Sequence, residues 1–183
     1  MNSTSNYLFE INSLKRIKRS GWWLAGVKDP ESVAEHSFTT AIIAYVLAKM
    51  EGENPEKLAC AALWHDVHES RLLDHNKVTA RYLPIPEKIE KKIREEQMNR
   101  LSPNLKQSIN SYFKLTKNEF TILKDADYLE CAFQAKEYVA QGYSGCNWLK
   151  TIEKRLKTPS AKKLMKELKN TKPYEWWKKL KNI

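Results

Sequence analysis

The chain has 183 residues, with 42% hydrophobic and 30% charged positions and only five glycines and seven prolines, which suits one domain able to bury a core without disulfide or metal staples. Few helix breakers, abundant Ala, Leu, Lys and Glu, and no alternating Val/Ile-rich run predict an all-α fold. The formal net charge of +10 invites a nucleic-acid reading, but residues 150–183 hold 12 Lys/Arg against three Glu and so carry +9 of it, leaving the rest nearly neutral. Residues 1–20 lack an apolar signal core, and no stretch approaches 18 uncharged apolar residues. Secretion and membrane spanning are therefore unsupported, and a cytoplasmic location is expected. Cys60, Cys131 and Cys146 are odd in number and lack Cys-x-x-Cys spacing, which fits reduced thiols.

The first predicted helix covers residues 7–17, where Leu8, Ile11, Leu14 and Ile17 recur every third position. Gly21 and Gly26 interrupt the pattern. Ser32-Val33-Ala34-Glu35 is a capping box that opens a second helix, placing His36 one turn inside it. Residues 38–50 are apolar almost all round, which predicts a central, buried helix. Asn54 as N-cap and Pro55 at the first helical position launch a third helix over residues 58–69. That helix would carry Ala61-Ala62-Leu63-Trp64-His65-Asp66-Val67-His68-Glu69, an apolar run ending in imidazoles and carboxylates. A short helix is expected between Asn76 and Leu83, and a charged amphipathic one over residues 86–101 with a solvated Lys/Glu face. Ser102-Pro103 caps another to about Leu115. Residues 116–141 read as a long helix containing Asp125-Ala126-Asp127, stopped by Gly142 and Gly145, and two basic helices begin at Asn147 and Ser160.

His36, the His65-Asp66 pair and Asp127 lie on three separate predicted helices, with 28 residues between the histidines and 60 between the aspartates. Two imidazoles and two carboxylates form a mixed N/O set suited to a divalent ion such as Mn²⁺, Fe²⁺, Co²⁺ or Zn²⁺. Taken singly, His36 fits a hydrogen-bonded core histidine and Asp127 a surface acid. The pair differs, because an ionised Asp66 inside an apolar helix needs a counterion. Asp125 points away from Asp127 on a helix, so only one of the two reaches a shared ion. Glu130 and Gln134, on the face of Asp127, read as packing or interface residues.

This order of residues resembles the HD-domain metal-dependent phosphohydrolases, whose pattern is a distant His, a His-Asp pair and a distant Asp. Leu14-Lys15-Arg16-Ile17-Lys18-Arg19-Ser20-Gly21-Trp22, then Pro30-Glu31-Ser32-Val33-Ala34-Glu35-His36-Ser37, then His65-Asp66-x-x-Glu69 with Asp74 after it, is similar to the 5′-deoxynucleotidase branch over residues 14–142. The resemblance implies a single HD domain over residues 1–183, its core at about 14–142 and the basic helices of 147–183 packed on it, with the metal site between central helices. It implies His36, His65, Asp66 and Asp127 as metal ligands. It further implies hydrolysis of deoxyribonucleoside 5′-monophosphates to deoxynucleoside and phosphate, by a homodimer. Where such relatives often have Gly-Asp, this chain has Leu73-Asp74.

In that scheme the ion lowers the pKa of a water that attacks phosphorus while the 5′-oxygen leaves in line. Arg19 clamps the phosphate, Glu69 orients the water or passes a proton to the leaving oxygen, Asp74 accepts from sugar hydroxyls, and Trp22 packs on the sugar, with Trp23 the competing choice. His68 stands either as a further nitrogen donor or as a bystander. A second substrate within the class is another phosphoester, a cyclic nucleotide or a nucleoside triphosphate; a triphosphate would need more cations around the pocket than Arg19 alone. From a different class, a nucleic-acid-binding protein would use the basic C-terminal helices with Trp148, Trp176 and Trp177 as stacking surfaces; the plainer alternative is a solvated face whose tryptophans pack on the core.

Overall fold

The computed structural model describes residues 3–144 and 146–181, and its regular structure is helical, with no strand among the described residues. The helices are α1 (Thr4–Asn12), α2 (Val33–Glu51), α3 (Pro55–Trp64), α4 (Glu69–Leu72), α5 (Lys77–Tyr82), α6 (Glu87–Met98), α7 (Pro103–Tyr112), α8 (Lys117–Ala140), α9 (Cys146–Glu153) and α10 (Pro159–Asn170). The expected all-α class is what forms. Gly145 and the Cys146 side chain, both named in the sequence reading, lie outside the described residues.

The caps explain the boundaries. Ser32 accepts from the Glu35 N–H while the Ser32 N–H donates to the Glu35 carboxylate, and Thr116 and Glu119 repeat the arrangement at the start of α8. Asn54, Asn76, Ser102 and Thr158 cap α3, α5, α7 and α10 through their side chains. Gly52 and Gly142 take positive φ where α2 and α8 end.

α2 lies between α3 and α8. Ala44, Leu47 and Ala48 of α2 meet Leu58, Ala61 and Ala62 of α3 and Ile122, Ala126 and Leu129 of α8, all fully buried. The small alanines let these backbones approach closely, so side chains from three remote stretches of sequence converge. α9 packs on α8 and α10 on both α8 and α2, with Ile152, Leu156 (between the two helices), Met165 and Leu168 joining the same core.

Three expectations need correcting. α1 ends at Asn12 and a 3₁₀ turn follows over Ser13–Arg16. The strict three-residue spacing is in phase with a 3₁₀ helix and drifts round an α-helix, so Leu8 is exposed while Leu14 is buried. α2 is buried on one face only: Phe38, Ile42, Tyr45 and Val46 stand 64%, 51%, 43% and 41% exposed, an apolar stripe at helical spacing. α3 stops at Trp64, and residues 65–68 form turns before α4. Backbone bonds there tighten, Glu69 N–H donating to the Asp66 carbonyl at 3.0 Å and Ser70 N–H to that of Val67 at 3.2 Å. The His-Asp pair therefore sits on a turn rather than inside a regular helix.

The amino-terminal helix is fastened by one acid that belongs to no motif. Glu10 accepts from Arg71 Nε at 2.6 Å, Arg100 at 2.6 Å and Gln97 at 2.9 Å. Burial raises its pKa, but the bonds from Arg71 and Gln97 and the charges of Arg71 and Arg100 outweigh that and hold it below the usual glutamate value. Glu10→Ala is expected to cost about 1–3 kcal/mol of stability, measured by denaturant unfolding. Because the folded pKa is depressed, this stabilisation is present above the unfolded glutamate value and is lost as pH falls through the folded one. The gap between wild type and variant should narrow on acidification below about pH 4.3, and a gap independent of pH there would refute the assignment.

Candidate metal and substrate site

The site is assembled by pinning the segment around Arg19 to the start of α2. Val33 N–H donates to the Ile17 carbonyl at 2.8 Å and Arg19 N–H to the Glu31 carbonyl at 2.9 Å, an isolated antiparallel bridge that brings residue 19 beside His36. His36 is fully buried. Its Nδ1 meets Glu130 Oε2 at 2.5 Å, and its Nε2 lies 3.4 Å from Asp127 Oδ1 and 3.7 Å from Asp66 Oδ2. His65 Nδ1 donates to the Ala62 carbonyl at 2.6 Å, and its Nε2 lies 3.1 Å from Asp66 Oδ2.

Both imidazoles are thus fixed through Nδ1, which leaves Nε2 of each ring as the atom available to an ion. Both Nε2 atoms are buried without a hydrogen-bond partner in the protein. The candidate ligand atoms of His36, His65 and Asp127 all lie within 4.8 Å of one another. Buried nitrogens left unpaired are costly unless something else occupies them, and this donor set suits a divalent cation. The turn over residues 65–68 has a geometric consequence here. On an α-helix neighbouring side chains diverge by about 100°, whereas the turn brings His65 and Asp66 to one place.

The charges are strongly coupled. Burial and Arg19 lower the His36 pKa, but Asp127 and Glu130 more than offset them, raising it to about 10. Asp66 and Asp127 are held well below the usual carboxylate range by His65 and His36 against the opposing effect of burial, with Arg19 adding to the pull on Asp66 and Lys124 to that on Asp127. Glu69 goes the other way: burial, then the charges of Asp66 and Asp74, push it up to about 10, and its Oε2 has no partner. His68 is buried, its pKa lowered chiefly by burial, and its donor atom clusters with those of Asp66 and Glu69 rather than with His36.

Asp66, Asp127 and Glu69 line a cavity of about 460 Å³ together with Arg19, Trp22 and Asp74. Arg19 donates to Asp74 Oδ1 at 3.0 Å and to Cys131 Sγ at 3.3 Å, and its guanidinium is 3.7 Å from Asp66. Asp74 Oδ2 accepts from the Ser20 N–H at 2.7 Å and from its hydroxyl at 2.8 Å. Leu73, just before it, has φ +64°, a conformation that costs a branched residue about 1–3 kcal/mol. Trp22 is buried, donates to Glu31 Oε1 at 2.9 Å, stacks on Trp148 with centroids 4.2 Å apart and meets Tyr138 edge-on. Trp23 is exposed and outside the lining.

All eight sequence-predicted site residues come together around this cavity or directly behind it. Glu130 is packed in the interior, one of the two places expected of it, at 2% exposure, and beyond that expectation it holds the His36 ring. A carboxylate one helical turn from a ligand on the same face was the available signal. Glu31, which enters the sequence reading only within the segment that carries the family resemblance, is buried, its pKa raised to about 8 by burial and by Glu130. Lys77, Tyr128 and Arg155 also line the cavity and carried no sequence signal. Asp125, as expected, turns away, its carboxylate accepting the N–H groups of Lys157 and Thr158. Trp148 is half-buried, stacks on Trp22 and lines the cavity, while Trp176 is exposed.

The model of the family described as HD domain matches residues 11–169. A 5′-deoxynucleotidase, HDDC2 of Dictyostelium discoideum, is 35% identical over 165 residues, spanning 80% of this chain and 84% of that one. A solved structure of a predicted coding region from Archaeoglobus fulgidus is 35% identical with a TM-score of 0.70, covering 97% of this chain and 100% of that one. The cyanophage S-2L HD phosphohydrolase, solved with dA and one catalytic Zn²⁺, is 14% identical with a TM-score of 0.58 over 89% of this chain and 96% of that one, a likeness of fold.

Proposed function

The chain belongs to the HD-domain family, and from that membership and the donors gathered at its cavity we propose a divalent-metal-dependent phosphohydrolase that converts deoxyribonucleoside 5′-monophosphates to deoxynucleoside and phosphate. One observation carries the reading: two imidazoles locked through Nδ1 aim unpartnered Nε2 atoms at Asp127, at the side of a cavity that also holds an arginine and a tryptophan. His36, His65, Asp66 and Asp127 would hold the ion, one of Mn²⁺, Co²⁺, Fe²⁺ or Zn²⁺. When bound, it supplies Lewis acidity and lowers the pKa of water.

The protein's own groups do the rest. Arg19, steadied by Asp74 and Cys131, clamps the phosphate oxygens with its planar fork. The water oxygen bonds to phosphorus, and the bond to the 5′-oxygen breaks with its electron pair left on that oxygen. Glu69 donates a proton there from its Oε2 side and regains one from the water. Trp22 packs on the sugar, and Asp74, besides holding Arg19, accepts from sugar hydroxyls. The named activity of the Dictyostelium relative supports this substrate class.

We take residues 1–183 as one domain. The apolar stripe of Phe38, Ile42, Tyr45 and Val46 fits a second copy of the chain, hence a homodimer. No helix among the described residues is long and apolar enough to cross a membrane, and Cys60 and Cys131 are free thiols; both support placement in the cytoplasm.

The test is phosphate release from a panel of nucleoside 5′-monophosphates with each of the four metals. Release that needs metal and stops with chelator is expected; none from any deoxynucleotide would sink the proposal. Glu130→Gln should weaken metal affinity about 10- to 100-fold, because it removes the charge behind the His36 ring. Metal titration followed by calorimetry checks this, and unchanged affinity would make Glu130 merely structural.

A further inference from the structure

Next to the cavity, and sharing Tyr128 and Arg155 with its wall, lies a more open groove of about 340 Å³ to which Lys124, Asp125, Lys154 and Lys157 contribute. Four cations face one acid. That acid is already committed: Asp125 accepts from the Lys157 N–H at 3.1 and 3.0 Å, from the Thr158 N–H at 2.7 Å and from the Thr158 hydroxyl at 2.7 Å. Lys124 Nζ reaches to 3.4 Å from Asp127 Oδ2, so the groove begins at the metal-binding side chains themselves. Lys124 precedes Asp127 by three residues, about 4.5 Å along the α8 axis.

Among the described residues, Lys154, Arg155 and Lys157 have no carboxylate partner, and neither has Lys77 across the cavity. Arg155 is held by the face of Tyr128, 5.5 Å from its centroid, on the boundary between the two spaces. Like charges gathered without counterions repel, and an anion lying among them relieves that repulsion. A phosphate attached to a nucleotide whose 5′-phosphate sits at the metal-binding residues would fall within reach.

We propose that this groove is a second anion subsite, taking a phosphate that the nucleotide carries in addition to the one hydrolysed, so that the substrates include multiply phosphorylated nucleotides. The assignment rests on the phosphohydrolase reading above. The added phosphate has two possible sources, a separate 3′-phosphate or a contiguous 5′-chain, and the subsite chemistry is the same for both.

The test compares metal-loaded wild type with Lys154→Gln/Lys157→Gln on dAMP, deoxyadenosine 3′,5′-bisphosphate, dADP and dATP. In the variant KM should rise about tenfold for the bisphosphate, or for the di- and triphosphate, as expected from losing charge-assisted contacts to one phosphate, while kcat/KM for dAMP stays within twofold. The first pattern identifies a 3′-phosphate and the second a 5′-chain; either supports the subsite. Equal effects on all four nucleotides, or none, overturn it. So does a change confined to inhibition by inorganic phosphate, or to retention of a 5′-phosphorylated oligonucleotide. Should no nucleotide be hydrolysed, the phosphohydrolase reading fails separately, and calorimetric titration decides the subsite alone. Tighter wild-type binding of the multiply phosphorylated nucleotides than of dAMP, abolished in the variant, supports it, and equal binding overturns it. Matching thermal unfolding of the two proteins excludes misfolding as the cause.

Discussion

His65→Ala is expected to strip the protein of its metal and to lower phosphate release by on the order of 10³-fold or more. The expectation follows from what the ring does and does not do in the fold. Its one hydrogen bond within the protein runs from Nδ1 to the Ala62 carbonyl at 2.6 Å, and the outer nitrogen is buried and unpartnered. Alanine therefore removes the candidate ligand at the cost of a single hydrogen bond, at a turn outside the regular helices, and circular dichroism should show those helices intact. Asp66 Oδ2, now 3.1 Å from His65 Nε2, would lose its nearest counter-group and keep Arg19 and His36, each 3.7 Å away. Metal content of the purified variant and its rate on a deoxynucleoside monophosphate decide the matter together. Full metal occupancy with a rate within tenfold of wild type would remove His65 from the ligand set.

Arg19→Lys should cost about 10²- to 10³-fold in kcat/KM while metal content stays unchanged. Charge is conserved in this change, so what it tests is geometry. The guanidinium spans Asp74 at 3.0 Å and Cys131 at 3.3 Å while standing 3.7 Å from Asp66. An ammonium group presents a single point charge and cannot keep those two contacts and still offer a pair of parallel donors to phosphate. A loss confined to KM would mean that Arg19 binds phosphate equally in ground and transition states, and a loss of bound metal would mean that it props up the ligands instead.

The legible part of this molecule is the part written in local rules. Ser32 and Thr116 caps, the Asn54-Pro55 start and the Gly142 stop bracket α2, α3 and α8 as expected, because capping depends on neighbours within four residues. The four remote donors were found from residue type and order, helped by the family resemblance. What could not be read depends on contacts between distant segments. Nothing local says that α3 ends at Trp64, since residues 65–69 suit a helix and only the turn draws His65 and Asp66 together. The role of Glu130 required knowing that His36 lies opposite it, 94 positions away in the chain. The apolar stripe on α2 reads as core from the sequence because hydropathy alone does not say which face of a helix the fold covers.

Trp22 and Trp148 stack 4.2 Å apart across 126 positions of chain, and a Cβ on Gly21 would stand only 3.2 Å from the Trp148 ring. In time rather than space, this means the site is finished late. A ribosome that has released residue 140 has already delivered all four proposed metal ligands, on α2, the turn after α3, and α8. The wall against which a nucleoside would rest is still missing until α9 emerges and docks. A chain ending at residue 140 would thus contain all four proposed ligands and lack both the Trp148 side of the cavity and the part of the core that Ile152, Leu156, Met165 and Leu168 supply.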